Sequence, residues 1–324
     1  MKLRVLYHGN CFDGSASAGL FARYFRERLA TGAAEVAYTP MQHKGDAQPI
    51  AAKLLDGDVN ACVDFRYSQD PRLHWWFDHH ASAFQLPGDE AHFRADASGQ
   101  KFYDPKAKSC TKFLATSLAE CFGFGIGRFA ELLSWAEIID GALFPSAAMA
   151  VELAEPALRL MTWVENNREK TLAERFIEDL VARPLGEIAA DAYVAEPLQP
   201  LLARHEQNIK AMRRISRLDG GVAISNLIPE GIATINKFIV YYLHPDARYA
   251  VTMLETKERY KISVGSNPWP KVPRTHDIAE LCQKYGGGGH PAVGAISLPK
   301  TDLAAVEKVA AEVTAFLQKE AEGI

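Results

Sequence analysis

Across roughly the first eighty residues, short apolar runs alternate with helical patterns, and this restricts the fold to a parallel α/β sheet. Lys2 to Tyr7 reads as a strand, and Ser17, Leu20, Phe21, Tyr24 and Phe25 follow at helical spacing. Glu35 to Thr39 is strand-like, Ile50 to Leu55 helical, Val59 to Phe65 an apolar strand and Leu73 to Phe77 another. In open parallel sheets ligands bind beyond the carboxyl ends of the strands. His8, Asp64 and Asp78-His79-His80 all emerge there.

From Ser109 to Arg183 the pattern is mostly helical, with Leu132, Leu133, Ala136 and Ile139 on one face and Thr171-x-x-Glu174 resembling a capping box. Pro197 and Pro200 open an amphipathic connector helix that Asp219-Gly220-Gly221 ends. Val222 to Asn226, Tyr249 to Glu255 and Tyr260 to Val264 read as strands, and a helix then carries Ile278, Leu281, Cys282 and Tyr285. The expected architecture is α/β. An N-terminal domain (1–195) with a mainly parallel sheet flanked by helices is joined by a helical connector (196–219) to a smaller α+β domain (220–324), leaving a cleft between the domains.

At 324 residues the chain exceeds one ordinary core, which supports two domains. Hydrophobic residues at 48% and charged residues at 23% exclude a disordered or fibrous class. The five cysteines contain no C-x-x-C pair, so neither a zinc knuckle nor a disulfide framework is indicated. With no long apolar stretch and no signal-peptide core, a cytoplasmic location away from membranes is expected. A formal net charge of -4 argues against gripping long nucleic acid and suits a small phosphorylated substrate.

Five clusters carry chemistry. His8-Gly9-Asn10-Cys11-Phe12-Asp13-Gly14 offers imidazole and carboxylate at a strand end, suited to a divalent cation; Asp13 alternatively serves as a helix N-cap. Asp64 closes an apolar strand, as a bridging ligand or a cap. Asp78-His79-His80 follows Trp75-Trp76-Phe77, where three ionisable groups beside a core are costly unless something binds them. Asp140 by itself is a charged residue on an amphipathic helix. Gly286-Gly287-Gly288-Gly289-His290 exceeds what a helix C-cap requires and exposes backbone N–H groups to a phosphate, with a flexible hinge as the other reading.

Together, and in this order, these clusters resemble the DHH phosphoesterase superfamily over nearly the whole chain. The resemblance implies a pair of divalent ions, usually manganese with Mg²⁺ or Co²⁺ as alternatives, held by His8, Asp13, Asp64, His79 and Asp140. It makes Asp64 the bridging ligand, Asp78 an orienting group and His80 a contact to substrate phosphate. Gly287, Gly288, Gly289 and His290 become the substrate-binding signature of the C-terminal domain. Two ions roughly 3.5 to 4 Å apart activate water and neutralise phosphoryl charge. The implied activity is hydrolysis of short oligonucleotides, dinucleotides or nucleoside phosphates in the cleft, and a homodimer is compatible with it. An exopolyphosphatase-like hydrolase and a catalytically weak nucleotide-binding protein are the alternatives. Two departures stand out: Cys11 occupies a position where the family commonly has an aspartate, and no arginine lies near Gly265.

Overall fold

Strand β1 (Lys2–His8) buries Leu3, Val5, Leu6 and Tyr7, apolar on both faces as the interior of a parallel sheet requires. It is joined by β2 (Glu35–Met41), β3 (Val59–Val63), β4 (Trp75–Asp78) and β5 (Lys101–Tyr103). All pairings are parallel, in the order β2-β1-β3-β4-β5. The structure, a computed structural model, describes residues 1–42 and 48–319.

The helices in chain order are α1 (Phe12–Tyr24), α2 (Asp89–Arg94), α3 (Cys110–Phe122), α4 (Ala130–Asp140), α5 (Ala147–Glu152), α6 (Pro156–Asn166), α7 (Lys170–Leu180), α8 (Leu185–Ala190) and α9 (Ala192–Ile215). Helix α1 is buried at all but one position and contacts β1, α3, α4 and α7. Its small residues Gly14, Ser15, Ala16, Ser17, Ala18 and Gly19 permit that approach. A Cβ at Gly19 would lie 2.5 Å from the Ile177 carbonyl of α7. The chain divides into two compact units, the first holding Met1–Phe144 and Ala154–Leu198, the second Pro145–Leu153 and the chain from Gln199 onward.

The second unit carries a mixed sheet in the order β10-β11-β9-β8-β7-β6. Its strands are β6 (Arg217–Asp219), β7 (Val222–Asn226), β8 (Tyr249–Glu255), β9 (Arg259–Ser266), β10 (Gly288–His290) and β11 (Val293–Pro299). Helices α10 (Ile239–Leu243), α11 (Ile278–Gln283) and α12 (Leu303–Gln318) complete it. Val251, Ile262, Val264, Ile278, Ile296, Val306 and Val313 form its core. Among the described residues no helix is long and apolar enough to cross a membrane.

At four places the chain departs from the local sequence expectation. Ile50 to Leu55 contains only a 3₁₀ turn at Ala52–Leu54. Helix α7 starts from Glu169, so Thr171 lies inside it and forms no capping box. Helix α9 begins at Ala192 and runs through Pro197 and Pro200, its sixth and ninth residues, so neither proline opens it. Gly220 and Gly221, both at positive φ, do not stop that helix; they form the two-residue turn of the β6–β7 hairpin.

Candidate metal centre

Register places the site. Tyr7 pairs with Val63 and Val63 with Phe77, so one residue further along, His8, Asp64 and Asp78 stand side by side at the carboxyl edge of three adjacent strands. The strand order reverses between β1 and β3, and the crevice at such a switch point is where ligands bind in open α/β sheets. Asp64 takes φ of +55° on leaving β3, while its N–H donates to the Phe77 carbonyl at 2.9 Å. An aspartate in this left-handed region is uncommon and is held there by its surroundings.

His8 Nδ1 lies 3.4 Å from Asp64 Oδ2, and His79 Nε2 lies 3.4 Å from Asp64 Oδ1, 3.3 Å from Asp140 Oδ2 and 3.9 Å from Asp13 Oδ2. Two groups of donor atoms result, His8 with Asp64 and His80, and Asp13 with Asp64 and His79, each within 4.8 Å of one another. Asp64 belongs to both. Asp13 and Asp64 are almost wholly buried, whereas Asp140 keeps 28% of its side chain exposed and marks the open side.

The supporting contacts explain the geometry. Asp78, fully buried, accepts through Oδ1 from His79 N at 2.8 Å, His80 N at 3.2 Å and His80 Nδ1 at 2.6 Å. His79 Nδ1 lies 3.0 Å from the Ala107 carbonyl; donation there turns Nε2 toward the carboxylates. Asp13 does act as a cap, but for α3: its oxygens accept from Cys110 N at 2.6 Å and Thr111 N at 3.0 Å. Gly14 admits α1 to the strand end, since a Cβ there would sit 2.2 Å from the His8 carbonyl. Asn10 is committed elsewhere, donating to the carbonyls of Val164 at 3.3 Å and Asn167 at 2.6 Å and accepting from Gln42. That makes it a clamp on the His8 loop, a function its sequence position does not signal.

Electrostatics within the cluster conflict. Burial, then the charges of Asp64 and Asp140, push the Asp13 carboxyl well above its ordinary range. Burial and Asp64 push Asp140 up to about 6. Burial disfavours charge on Asp64 too, but the close imidazoles of His79 and His8, each 3.4 Å away, hold its pKa low. Burial would lower His79, yet Asp64, the Ala107 carbonyl and Asp13 raise it to about 10. Burial and the same carboxylates push the Cys11 thiol well up, leaving it neutral. Asp140 also ends α4, at the negative pole of the helix dipole.

A divalent cation held here would offset the crowded carboxylate charge. Both oxygens of Asp64 and Nε2 of His79 are buried with no hydrogen-bond partner among the described residues, a state that is costly for polar atoms unless something binds them. Oxygen and imidazole donors without thiolate suit manganese or magnesium. The residues present therefore fit divalent ions.

No family model matches this sequence, and no curated protein matches it either. Solved structures do. The pGpG-specific phosphodiesterase PggH of Vibrio cholerae matches with a TM-score of 0.67 at 21% identity, over 97% of this chain and 99% of that one. The DHH domain of a member of a ribosomal-protein family gives 0.59 at 13% identity, over 99% and 87%. This chain has the DHH fold. RecJ of Thermus thermophilus, solved in complex with Mn²⁺, gives 0.52 at 15% identity, over 97% of this chain and 52% of that one.

The glycine-rich segment that completes the DHH resemblance lies in the second unit, and its backbone packing accounts for much of it. Gly286, at φ +73°, follows α11 as a helix stop. A Cβ at Gly287 or Gly289 would lie 2.3 Å from the carbonyl of Ala295 or Val293 on β11. Gly288 has open space around it and His290 is exposed. Trp269 packs against Phe238, with ring centroids 5.5 Å apart.

Proposed function

We propose that this chain is a divalent-metal-dependent phosphoesterase that hydrolyses the phosphodiester of a short oligonucleotide or dinucleotide. The buried carboxylate of Asp64, without a hydrogen bond among the described residues and common to two donor groups, carries this reading. In it Asp64 would serve both donor groups, with Asp13, His79 and Asp140 able to hold one ion and His8 the other. Divalent ions at this position would supply an activated water and offset charge on the phosphoryl oxygens. Asp78 orients both histidines. Because Asp78 already engages His80 Nδ1, His80 is better placed to contact substrate phosphate than to ligate through that nitrogen. Asp13 ties the cluster to the start of α3 and keeps it rigid.

Cys11 cannot replace a carboxylate while its thiol stays neutral, and Asn10 is occupied, so the ion beside His8 is the weaker of the two. Gly288 and His290 are proposed to hold the far end of the substrate. The end-to-end likeness to a pGpG phosphodiesterase and the acidic net charge favour a dinucleotide over polyphosphate or a long strand. Purified protein with Mn²⁺, given pGpG, pApA, 3',5'-bisphosphorylated adenosine and polyphosphate in parallel, should turn over the dinucleotides fastest. Cleavage of polyphosphate alone would move the chain to the exopolyphosphatase-like reading.

A further inference from the structure

The loop between α3 and α4 reads Gly123-Phe124-Gly125-Ile126-Gly127-Arg128. Gly123 closes α3 at φ +63° and so has a reason in the fold. Gly125 and Gly127 have none: neither takes a positive φ, and a Cβ on either would meet nothing within 4 Å. Both instead line a surface cavity of about 340 Å³ together with Arg28, Arg128, Phe124 and Glu27.

The charge of this cavity is unbalanced. Glu27, its single lining carboxylate among the described residues, is shared by two guanidinium groups, Arg128 at 2.6 Å and Arg23. Among the described residues Arg28 pairs with no carboxylate and meets two backbone carbonyls, Phe122 at 3.0 Å and Gly123 at 3.2 Å. Arg128 is oriented in advance, its guanidinium 4.7 Å from the Phe129 ring centre and 5.5 Å from that of Phe124. A second cavity, about 390 Å³, adjoins across Arg128 and adds Arg23 with apolar surface from Phe129, Leu132, Leu180 and Val181. Its other arginine, Arg183, is already paired with Asp179 and Asp191.

We propose that the Arg28–Arg128 cavity is a second binding site, one for the phosphate group of a small phosphorylated molecule whose remainder occupies the adjoining cavity. Arg28 lines the cavity with no carboxylate of its own among the described residues, and Arg128 shares Glu27 with Arg23, so the cationic side is in excess; guanidinium forks match phosphate oxygens, and glycines leave backbone N–H groups unscreened by side chains. Asp140 ends α4 and the cavity lies at its start, ten residues away, so the two sites are about 15 Å apart along that helix. The inference does not depend on the activity proposed for the metal centre.

The test is calorimetric titration of inorganic phosphate, and separately of AMP, into the full chain stripped of metal with chelator. Arg28→Gln with Arg128→Gln should weaken phosphate binding by about tenfold or more, and Gly125→Val with Gly127→Val should do likewise. Asp64→Asn and His290→Ala should leave this binding in place, and AMP should bind more tightly than phosphate through the second cavity. If Arg128→Gln lowers the melting temperature sharply, Arg28→Gln alone, at an exposed position, carries the test. Phosphate binding absent from the wild type, unchanged in the arginine variants, or lost in Asp64→Asn instead would overturn the proposal, as would AMP binding no tighter than phosphate.

Discussion

Replacing Asp78 with asparagine keeps the shape of the side chain and removes its charge. The carboxylate is fully buried, and its Oδ1 receives three donors, the strongest being His80 Nδ1 at 2.6 Å. A hydrogen bond to a charged acceptor contributes about 1.5–3 kcal/mol against about 1 for a neutral one. The His80 contact alone therefore weakens by about 0.5–2 kcal/mol, or about 2–30-fold in any step that needs the ring held. Asp78 also fixes the backbone of His79, so metal affinity should fall as well, within the roughly 10–100-fold seen for groups that orient metal ligands. The new amide N–H₂ would replace Oδ2, which has no partner among the described residues, and the melting temperature should drop. The assay is Mn²⁺ titration followed by the resonance of free manganese, with kcat and KM for pGpG on the same samples. A folded Asp78→Asn protein with wild-type Mn²⁺ affinity and turnover would refute the role given to Asp78.

Cys11→Asp should tighten the weaker ion by about tenfold, read by calorimetry, because it adds a hard oxygen donor where burial now keeps a thiol neutral. Two ions of equal affinity in the wild type, unaffected by Cys11→Ala, would contradict this. His290→Ala should raise KM for pGpG while leaving Mn²⁺ affinity unchanged; loss of bound metal would show that the substrate and metal roles are wrongly divided. Burial would raise the pKa of Glu178, but Arg26 at 2.6 and 2.7 Å and the Tyr38 hydroxyl at 2.6 Å lower it below its ordinary value of 4.5. A depressed carboxylate stabilises the fold above its unfolded pKa and loses that contribution as pH falls through the folded value. Screening at this half-exposed pair limits the effect to about 0.5–1 kcal/mol, so Glu178→Gln should lower urea stability by that amount at pH 7 and by little near pH 3.

The parallel sheet was legible because apolar runs on buried strands cannot be mistaken for loops, and the strand ends announced where His8, Asp64 and Asp78 would meet. Strand β5 has three residues and no periodicity to find, and β10 hides in a glycine run whose extended backbone no side chain reports. Gly220-Gly221 was readable in principle, since Gly-Gly between short runs signals a two-residue hairpin as strongly as a helix stop. Other features lie beyond local sequence. Asp13 reads as a cap for its own helix, whereas its carboxylate serves Cys110 and Thr111, nearly a hundred positions away. The division between His79 and His80 is likewise set by the Ala107 carbonyl and the Asp78 carboxylate, neither of which adjacency in the motif reveals. Asp140, alone, remains an ordinary helical acid until the fold brings it to 3.3 Å from His79.

If the buried carboxylate of Asp64 holds divalent cations that the activity requires, metal content and turnover must be lost together. Elemental analysis of protein dialysed against limiting Mn²⁺, paired with pGpG turnover before and after chelation, tests it most directly. Wild-type protein should carry up to two ions per chain and lose activity with chelator and regain it with Mn²⁺, and a folded Asp64→Asn variant should show neither metal nor turnover. Undiminished turnover in that variant, or in the chelated wild type, would contradict it.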